Sequence, residues 1–324
     1  MIDLPATRQA YRLEFSTYQR LAVWAADHLR APLRAVGVYQ PEVSGRPKDV
    51  PSFVKKALRG SYVDPIAEIT DKAGVRVIVS LLDDVGLVER VVQEQFLVIE
   101  HQNKGDQLDP DRLGYLGVHF LATPRVQDLT ESNEDLEGKV FEVQIHTRAQ
   151  NAWAMVSHPL LYKSAGLGAP PALRRRINRL VALVELFDLE VAAARKAMIE
   201  DPMYPQATML QQLEREFLQM TDRDYDPVLS LAVLAAIAAA YEPEELARFD
   251  DLVKEFMADH REYLAAILDN SKNNEDANPL LFQPEVIAIL ERLENRKELL
   301  RVAWDQSLSP KLLDSLSEEL GRPA

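Results

Sequence analysis

The pattern of apolar and polar positions changes near residue 165 of this 324-residue chain. Before that point, helical spacing of apolar residues alternates with short β-branched runs; after it, helical spacing continues to the last residues. Strands are predicted for GVRVIVSLLDD (74–84), FLVIEHQ (96–102), GYLGVHFLAT (114–123) and KVFEVQIHT (139–147). Because helical segments lie between these strands, we expect an α+β fold with a mixed β-sheet.

The same spacing places the helices. It predicts helices over residues 8–33, over 52–58, from about Val85, and from Arg148 toward Tyr162. Pro159 is expected to disturb the last of these, because proline cannot donate the helical hydrogen bond. The intervening segment QPEVSGRPKDVP (40–51) reads as turns. Beyond residue 170, one long amphipathic helix precedes four or five shorter ones.

Two domains follow from this organisation. Residues 1–200 are expected to form one domain with flanking helices, whose core motifs lie between residues 40 and 165. Residues 201–324 are expected to form an acidic, all-helical domain. The role of that second domain is open, because no motif in it carries recognisable chemistry.

Composition limits the classes of protein. The chain has no cysteine, which excludes disulfides, thiolate metal sites and cysteine nucleophiles, and which fits a reducing cytoplasm. The longest apolar run, residues 228–241, is too short to span a bilayer. We therefore expect a cytoplasmic protein without a membrane partner.

Charge is unevenly distributed within the net charge of −14. Residues 1–60 contain 10 Lys or Arg against 5 Asp or Glu, whereas residues 201–324 contain 12 against 25. The basic start suits an anionic ligand, and the acidic end repels nucleic acid. The alternative for the acidic end is that it keeps its helices soluble.

Carboxylates are placed where they could share a metal ion. Alternation along residues 140–147 puts Glu142, Gln144 and His146 on one face, opposite a face of apolar side chains. Asp71 comes just before another strand. Two such carboxylates can hold Mg²⁺ on a nucleotide, with phosphate oxygens and water completing the coordination.

Cations and an aromatic residue complete the candidate nucleotide site. Arg46, Lys48, Lys56 and Arg59 fall on a turn and the following helix, where Ser52 and free backbone amides near the helix start can meet an anion. Arg76 lies within a strand. On the GYLGVHF segment, Tyr115 and His119 share a face, and the tyrosine could stack on a nucleobase. The alternatives are a solvated basic face and ordinary packing residues.

Together these motifs resemble the synthetase domain of RelA/SpoT proteins, over about residues 40 to 165. The matching motifs are Arg-x-Lys-x-x-x-Ser (Arg46, Lys48, Ser52), Asp-x-x-Gly-x-Arg (Asp71, Gly74, Arg76), Gly-Tyr-x-x-x-His (Gly114, Tyr115, His119) and Glu-x-Gln-Ile (Glu142, Gln144, Ile145). Trp153-Ala154, His158 and Tyr162-Lys163 follow at the spacing of that family. The resemblance implies a nucleotidyltransferase-like fold.

The resemblance also implies an activity. Such a pyrophosphokinase passes the β,γ-diphosphate of ATP to the ribose 3′-hydroxyl of GDP or GTP, giving (p)ppGpp and AMP. It implies that Arg46 and Arg76 sandwich the adenine, and that Lys48, Ser52 and Lys56 hold the phosphates. It further implies that Asp71 and Glu142 are catalytic and hold Mg²⁺. The implied acceptor residues are Tyr115, His119, Gln144 and His146.

Departures from the family pattern lie on the acceptor side. Leu116 and Gly117 replace Arg-Ser, His146 stands where the family has arginine, and Ser157 stands where it has glutamate. Two alternatives therefore stay open. One is a toxin-like synthetase that uses another acceptor, such as the 3′ end of tRNA or an adenine nucleotide. The other is a catalytically inactive nucleotide-binding module.

Two further expectations come from the resemblance. A hydrolase activity is not expected, because the chain has no His-Asp doublet and about 40 residues precede the synthetase motifs. Homo-oligomerisation is expected, because the long helix from Ala172 resembles the helical flank through which small synthetases assemble.

Overall fold

The computed structural model describes residues 3–38, 40–105, 117–162, 170–201, 204–274 and 276–322. The chain divides into two compact units. The first consists of Met1–Leu33 and Val38–Ala192, and the second of Arg34–Gly37 and Ala193–Ala324. The predicted domain boundary at residue 200 and the role of the second domain stay predictions.

A five-stranded mixed sheet forms the centre of the first unit. Its strands are β1 (Glu42–Pro47), β2 (Ala73–Val79), β3 (Leu97–Asn103), β4 (Val118–Thr123) and β5 (Phe141–Thr147). They lie in the order β1-β2-β5-β4-β3, where β2 and β5 are parallel and the other neighbours are antiparallel. The prediction of an α+β fold with a mixed sheet is confirmed.

Strand β1 was not predicted from the sequence, which indicated turns over residues 40–51. Gly45 and Pro47 caused the error, since both residue types are depleted in strands. The structure explains them: Pro47 ends an edge strand, where a missing N–H is tolerated. A Cβ on Gly45 would lie 1.9 Å from the carbonyl oxygen of Ala22. Arg46 therefore lies on a strand and not on a turn.

Six α-helices accompany the sheet among the described residues up to position 201. They are α1 (Leu4–Ala35), α2 (Val50–Arg59), α3 (Pro65–Glu68), α4 (Leu82–Gln95), α5 (Arg148–Tyr162) and α6 (Pro171–Glu200). Helix α1 passes through Pro32 and α5 passes through Pro159, where the sequence predicted an end and a disturbance. A proline removes one backbone hydrogen bond, and in α1 the packing of the flanking Leu29 and Leu33 in the core offsets that loss.

The sheet has two chemically different faces. One face is apolar, and residues such as Val75 and Val143 pack with Leu21 and Leu29 of α1 in a single core. The other face carries alternating polar side chains: Ser44, Arg46, Arg76, His119, Glu142, Gln144 and His146. Because the side-chain period of a strand is two, burying one face presents the polar set together on the other.

The second unit is helical. Its helices are α7 (Pro205–Leu218), α8 (Pro227–Ile237), α9 (Pro243–Ala247), α10 (Phe249–Asn270), α11 (Val286–Asn295), α12 (Lys297–Asp305) and α13 (Pro310–Glu319). Its own core surrounds α11, in which every residue from Val286 to Leu293 is buried. Across the described residues, no helix combines the length and the apolar composition that a membrane span requires.

Candidate active site

A cleft of about 410 Å³ opens on the polar face of the sheet. Its lining residues are Ser44, Arg46, Pro47, Lys48, Asp49, Ser52, Asp71, Gly74, Val75, Arg76, Glu142 and Gln144. Seven of the candidates named from the sequence are among them, although they are spread over about 100 residues of chain. The cleft forms because β1, β2 and β5 are neighbours in the sheet.

Asp71 lies just before β2, and its carboxylate joins two lysines. Oδ2 lies 3.0 Å from Nζ of Lys48 and 2.9 Å from Nζ of Lys56. Burial raises the pKa of Asp71, but the two ammonium groups outweigh burial and hold the pKa below its usual value. Oδ1 is buried and has no hydrogen-bond partner among the described residues. One carboxylate oxygen is therefore left for a ligand.

Glu142 of β5 is held by its neighbours on the sheet. Its Oε1 lies 2.8 Å from Nδ1 of His119 on β4, and its Oε2 accepts a 2.8 Å hydrogen bond from Nε2 of Gln144. Burial raises the pKa of Glu142, whereas His119 and Gln144 lower it and leave the net pKa below the ordinary value. Glu142 is therefore ionised and fixed in direction at neutral pH.

Arg76 continues this network toward β2. Its guanidinium donates to Oδ1 of Asn151 at 3.3 Å and to Oε1 of Gln144 at 3.5 Å. Arg46 on β1 lies diagonally across from Arg76 on β2, because Arg46 pairs with Gly74 and Arg76 pairs with Ser44. Diagonal neighbours in an antiparallel pair are about 7–8 Å apart, so the two arginines share one end of the cleft.

Two backbone amides at the start of α2 are already hydrogen-bonded, whereas the sequence led us to expect free amides there. Asp49 caps the helix: its Oδ1 accepts a 2.8 Å hydrogen bond from the Ser52 amide, which lowers the pKa of Asp49. The Phe53 amide donates to the Asp49 carbonyl at 2.9 Å. The prediction that free amides near Ser52 meet an anion is wrong at these two positions, because the cap residue takes both.

His146, at the far end of β5, is buried close to His119. The two rings lie 6.3 Å apart, edge to face. Burial lowers the pKa of His146 to about 4, and the nearby His119 and Arg76 add to the effect. The imidazole is therefore neutral at physiological pH. Tyr115, the predicted stacking residue, lies outside the described residues.

Two residues that touch the candidate set were missed in the sequence. Asp49 was overlooked although an Asp followed by Val-Pro is a usual start of a helix. Asn151 was overlooked because its role depends on α5 bringing it to Arg76, 75 residues away in the chain. Only the folded chain shows that contact.

The residues present fit a Mg²⁺ ion. Oδ1 of Asp71 is a buried oxygen that a ligand would satisfy, and each oxygen of Glu142 can accept a second bond. Within the described ranges no cluster of three or more His, Asp or Glu side chains could hold a metal. A protein usually contributes one or two carboxylates to Mg²⁺, beside substrate phosphates.

Comparison with known proteins agrees with the motifs. A family model described as a region found in RelA / SpoT proteins matches residues 45–166. Residues 45–166 form a RelA/SpoT domain. The resemblance inferred from the motifs is thus confirmed. The RelA/SpoT domain contains every candidate site residue named above, from Arg46 to His146.

The RelA/SpoT domain also has a curated homologue. The GTP pyrophosphokinase YjbM of Bacillus subtilis (strain 168) is 28% identical over 156 residues, which is 47% of this chain and 71% of that protein. The expected kinship with pyrophosphokinases is therefore confirmed at the level of the family.

Solved structures were also matched. The small alarmone synthetase 1 of Bacillus subtilis bound to its product pppGpp is 26% identical, with a TM-score of 0.48, and the match covers 60% of this chain and 100% of that one. A GTP pyrophosphokinase family protein from Streptococcus pneumoniae is 22% identical, with a TM-score of 0.45, over 65% of this chain and 99% of that one.

Proposed function

We propose that the protein is a Mg²⁺-dependent pyrophosphokinase without hydrolase activity, which transfers the β,γ-diphosphate of ATP to the 3′-hydroxyl of GDP or GTP. The observation that carries this proposal is the pair of carboxylates, Asp71 and Glu142, in one cleft with Arg46 and Lys48. A triphosphate needs the cations, and the metal that accompanies it needs the carboxylates. The homology to a GTP pyrophosphokinase supports the same reaction.

The donor nucleotide is proposed to bind along β1 and β2. The diagonal spacing of Arg46 and Arg76 leaves room for one adenine ring between two guanidinium planes, because each stacked contact takes about 3.5–4 Å. Lys48 and Lys56 already converge on Asp71, and Ser52 lines the same cleft. Their positions support the proposal that these three residues hold the phosphates next to the metal ligand.

The reaction then needs one bond to form and one to break. The acceptor 3′-oxygen forms a bond to the β-phosphorus of ATP while its proton passes by way of Glu142 to water. The bond from that phosphorus to the α,β-bridging oxygen breaks, and AMP leaves with that oxygen and the electron pair. Bound Mg²⁺ would neutralise the charge that develops on the phosphate oxygens. Because the pKa of Glu142 is lowered, its main role is to accept a hydrogen bond from the 3′-hydroxyl and orient it.

The proposed reaction can be tested by following the transfer of labelled phosphate from ATP to an acceptor. The full chain is incubated with Mg²⁺ and γ-labelled ATP, with GDP, GTP, ATP and bulk tRNA offered in separate reactions, and the products are separated by thin-layer chromatography. We expect label on GDP and GTP. Asp71→Asn and Glu142→Gln should each reduce turnover by about 10²-fold or more, because each removes charge stabilisation or orientation in the transition state.

A surface carboxylate outside the cleft provides the matched control. Asp135 pairs with Arg20 at the surface, so Asp135→Asn should transfer label at the wild-type rate. Wild-type rates in Asp71→Asn or Glu142→Gln would refute the mechanism. Absence of transfer to every acceptor, together with retained ATP binding, would leave the nucleotide-binding module as the function.

A second acceptor class is favoured by the charge of the far half of the polar face. Next to Glu142 lie His119, Gln144 and the neutral His146, and Arg76 bonds to Gln144 from β2. Lys48 and Lys56 lie in the donor half of the cleft, which comprises Arg46, Lys48, Ser52, Lys56 and Asp71. The 3′ end of tRNA, which carries one phosphodiester where GDP and GTP carry a di- or triphosphate, fits the less cationic environment of Glu142. Label on tRNA alone would select this acceptor, and label on ATP alone would select an adenine nucleotide.

Homo-oligomerisation is part of the proposal as well. Helix α6 exposes Leu183 and Phe187 one turn apart, each 60% accessible. Apolar side chains at this spacing on one helix support association of copies through α6.

A further inference from the structure

Tyr11 of α1 reaches the backbone beneath the donor half of the cleft. Its side chain is fully buried. The hydroxyl donates to the carbonyl oxygen of Lys48 at 2.5 Å and lies 3.3 Å from the carbonyl oxygen of Lys72. Since a phenol has one proton, the shorter contact is the main hydrogen bond and the longer one is its weaker branch.

The two carbonyls belong to the segments that carry the donor-site side chains. One is the carbonyl of Lys48 itself, and the other follows Asp71 directly in the chain. The Lys48 amide also donates to the Lys72 carbonyl at 2.8 Å, so Tyr11 closes a small backbone network between these segments. Movement of either segment would change the distance between Lys48 and Asp71, which now form a 3.0 Å ion pair.

The ring of Tyr11 contacts a third segment. It stacks on Phe53 of α2, with 4.0 Å between the ring centroids and 14° between the planes. Phe53 is the residue after Ser52 and lies three positions before Lys56, so the stacking fixes the helix that presents both. One side chain therefore contacts all three segments that supply Lys48, Ser52, Lys56 and Asp71.

The hydroxyl remains a donor at all ordinary pH values. Burial raises the pKa of Tyr11 well above its usual value, and the negative charges nearby, including Asp71, raise it further. The hydrogen bond to Lys48 is thus not lost by titration.

We propose that Tyr11 is a positioning residue of the donor site, which fixes the spacing between the phosphate-binding lysines and the metal-binding Asp71. This inference rests on the proposed function. Diphosphate transfer asks the protein mainly for placement, and a displacement of about 1 Å can reduce turnover by about 10²-fold. The site therefore extends to a helix that contributes no residue to the lining of the cleft.

Tyr18 of the same helix provides a matched control. Its hydroxyl is also beneath the site, but it accepts a 3.2 Å hydrogen bond from the Lys72 side chain, which Glu14 also binds at 3.1 Å. Tyr11→Phe and Tyr18→Phe each remove one buried hydroxyl and keep the ring. Only Tyr11→Phe removes a bond to the backbone of Lys48.

The experiment compares the two variants in the full chain. Three measurements are made: diphosphate transfer against ATP concentration, calorimetric binding of the non-hydrolysable analogue AMPCPP with Mg²⁺, and thermal unfolding. Tyr11→Phe should lower kcat at saturating ATP by about 10- to 100-fold and weaken Mg²⁺–AMPCPP binding. Tyr18→Phe should leave both near wild type, while the two variants unfold at similar temperatures.

Equal kcat and equal analogue binding in the two variants would overturn the proposal. A loss in Tyr11→Phe that is matched by a lower unfolding temperature than that of Tyr18→Phe would overturn it too, since that result indicates a structural role. If the wild type binds Mg²⁺–AMPCPP but transfers nothing, the proposed function fails, and analogue binding alone decides the role of Tyr11. If the wild type neither binds nor transfers, both proposals fail.

Discussion

Burial determines the charge of His146, which the family resemblance implies to be an acceptor-side residue. An imidazole in water titrates near pH 6.5 and would be partly cationic in a cell. Here burial lowers the pKa to about 4, so this position offers a neutral hydrogen-bonding group. A neutral group binds a phosphate less strongly than a fixed cation does.

His146→Arg should therefore change acceptor use. A fixed guanidinium can make charge-assisted hydrogen bonds worth about 1.5–3 kcal/mol to a phosphate. We expect the KM for GDP and GTP to fall by about tenfold or more, with little change for guanosine, in initial-rate measurements over an acceptor series. His146→Gln, which stays neutral, is the control and should keep the wild-type ranking. An unchanged KM in a folded Arg variant would place the acceptor phosphates away from residue 146.

Neighbouring side chains hold the two carboxylates of the cleft in position without a ligand. Asp71 is balanced by two lysines, and Glu142 is held by His119 and Gln144. Both carboxyl groups keep a pKa below the ordinary value in spite of burial. The folded chain therefore presents both carboxylates ionised and oriented, as the proposed transfer requires.

At the scale of elements, the contact between β1 and α1 sets the position of the donor half. Gly45 faces the backbone of α1, and Arg46 and Lys48 follow it in the chain. The missing side chain lets strand and helix approach closely. Arg46 is then on the opposite face from this contact, toward the cleft.

Gly45→Ala should destabilise the first unit. The new Cβ would lie 1.9 Å from the Ala22 carbonyl oxygen, so strand and helix must separate, at a cost of about 1–3 kcal/mol. Gly86→Ala is the matched control, because nothing lies within 4 Å of its Cβ position in α4 and alanine favours a helix by up to about 1 kcal/mol. The unfolding temperature should thus fall in Gly45→Ala and rise in Gly86→Ala. A neutral Gly45→Ala would contradict the close packing of β1 on α1.

At the scale of the whole molecule, each unit has its own core, and the core of the second contains an unusual carboxyl group. Glu285 precedes α11 and is fully buried. Neither of its oxygens has a hydrogen-bond partner among the described residues, and the Ser230 hydroxyl donates to Gln283. Burial raises the pKa of Glu285 to about 7, and Asp226 adds to the rise.

The stability of the second unit should accordingly depend on pH. With a pKa raised from 4.5 to about 7 in the folded state, Glu285 contributes stability below pH 4.5 that is lost as the pH rises to about 7. The loss is about 3 kcal/mol. Urea unfolding at pH 5 and pH 8 can be followed by the fluorescence of buried Trp304, in a chain with Trp24→Phe and Trp153→Phe.

Glu285→Gln separates this effect from those of other titrating groups. The amide keeps the shape and cannot ionise, so the variant should gain stability over wild type at pH 8 and lose that advantage at pH 5. An identical pH dependence in the two chains would show that Glu285 does not control it.

Much of the site was visible before the fold was known. The carboxylates, the cations and the alternation of Glu142, Gln144 and His146 depend on local spacing, which the strand period converts directly into a shared face. The use of the Ser52 amide by Asp49 was missed although Asp followed by Val-Pro is a usual start of a helix. Strand β1 was missed because its glycine and its proline mask the strand pattern.

The sequence by itself determined the alternation of elements, the polar set along β5 and the family of residues 45–166, since each of these depends on order and spacing along the chain. Only the tertiary structure decided that Asp71 joins Lys48 and Lys56, that Arg76 meets Asn151, and that Tyr11 lies beneath the donor half. These contacts link residues up to 75 positions apart. Such contacts depend on how helices and strands pack in space, which local periodicity does not encode.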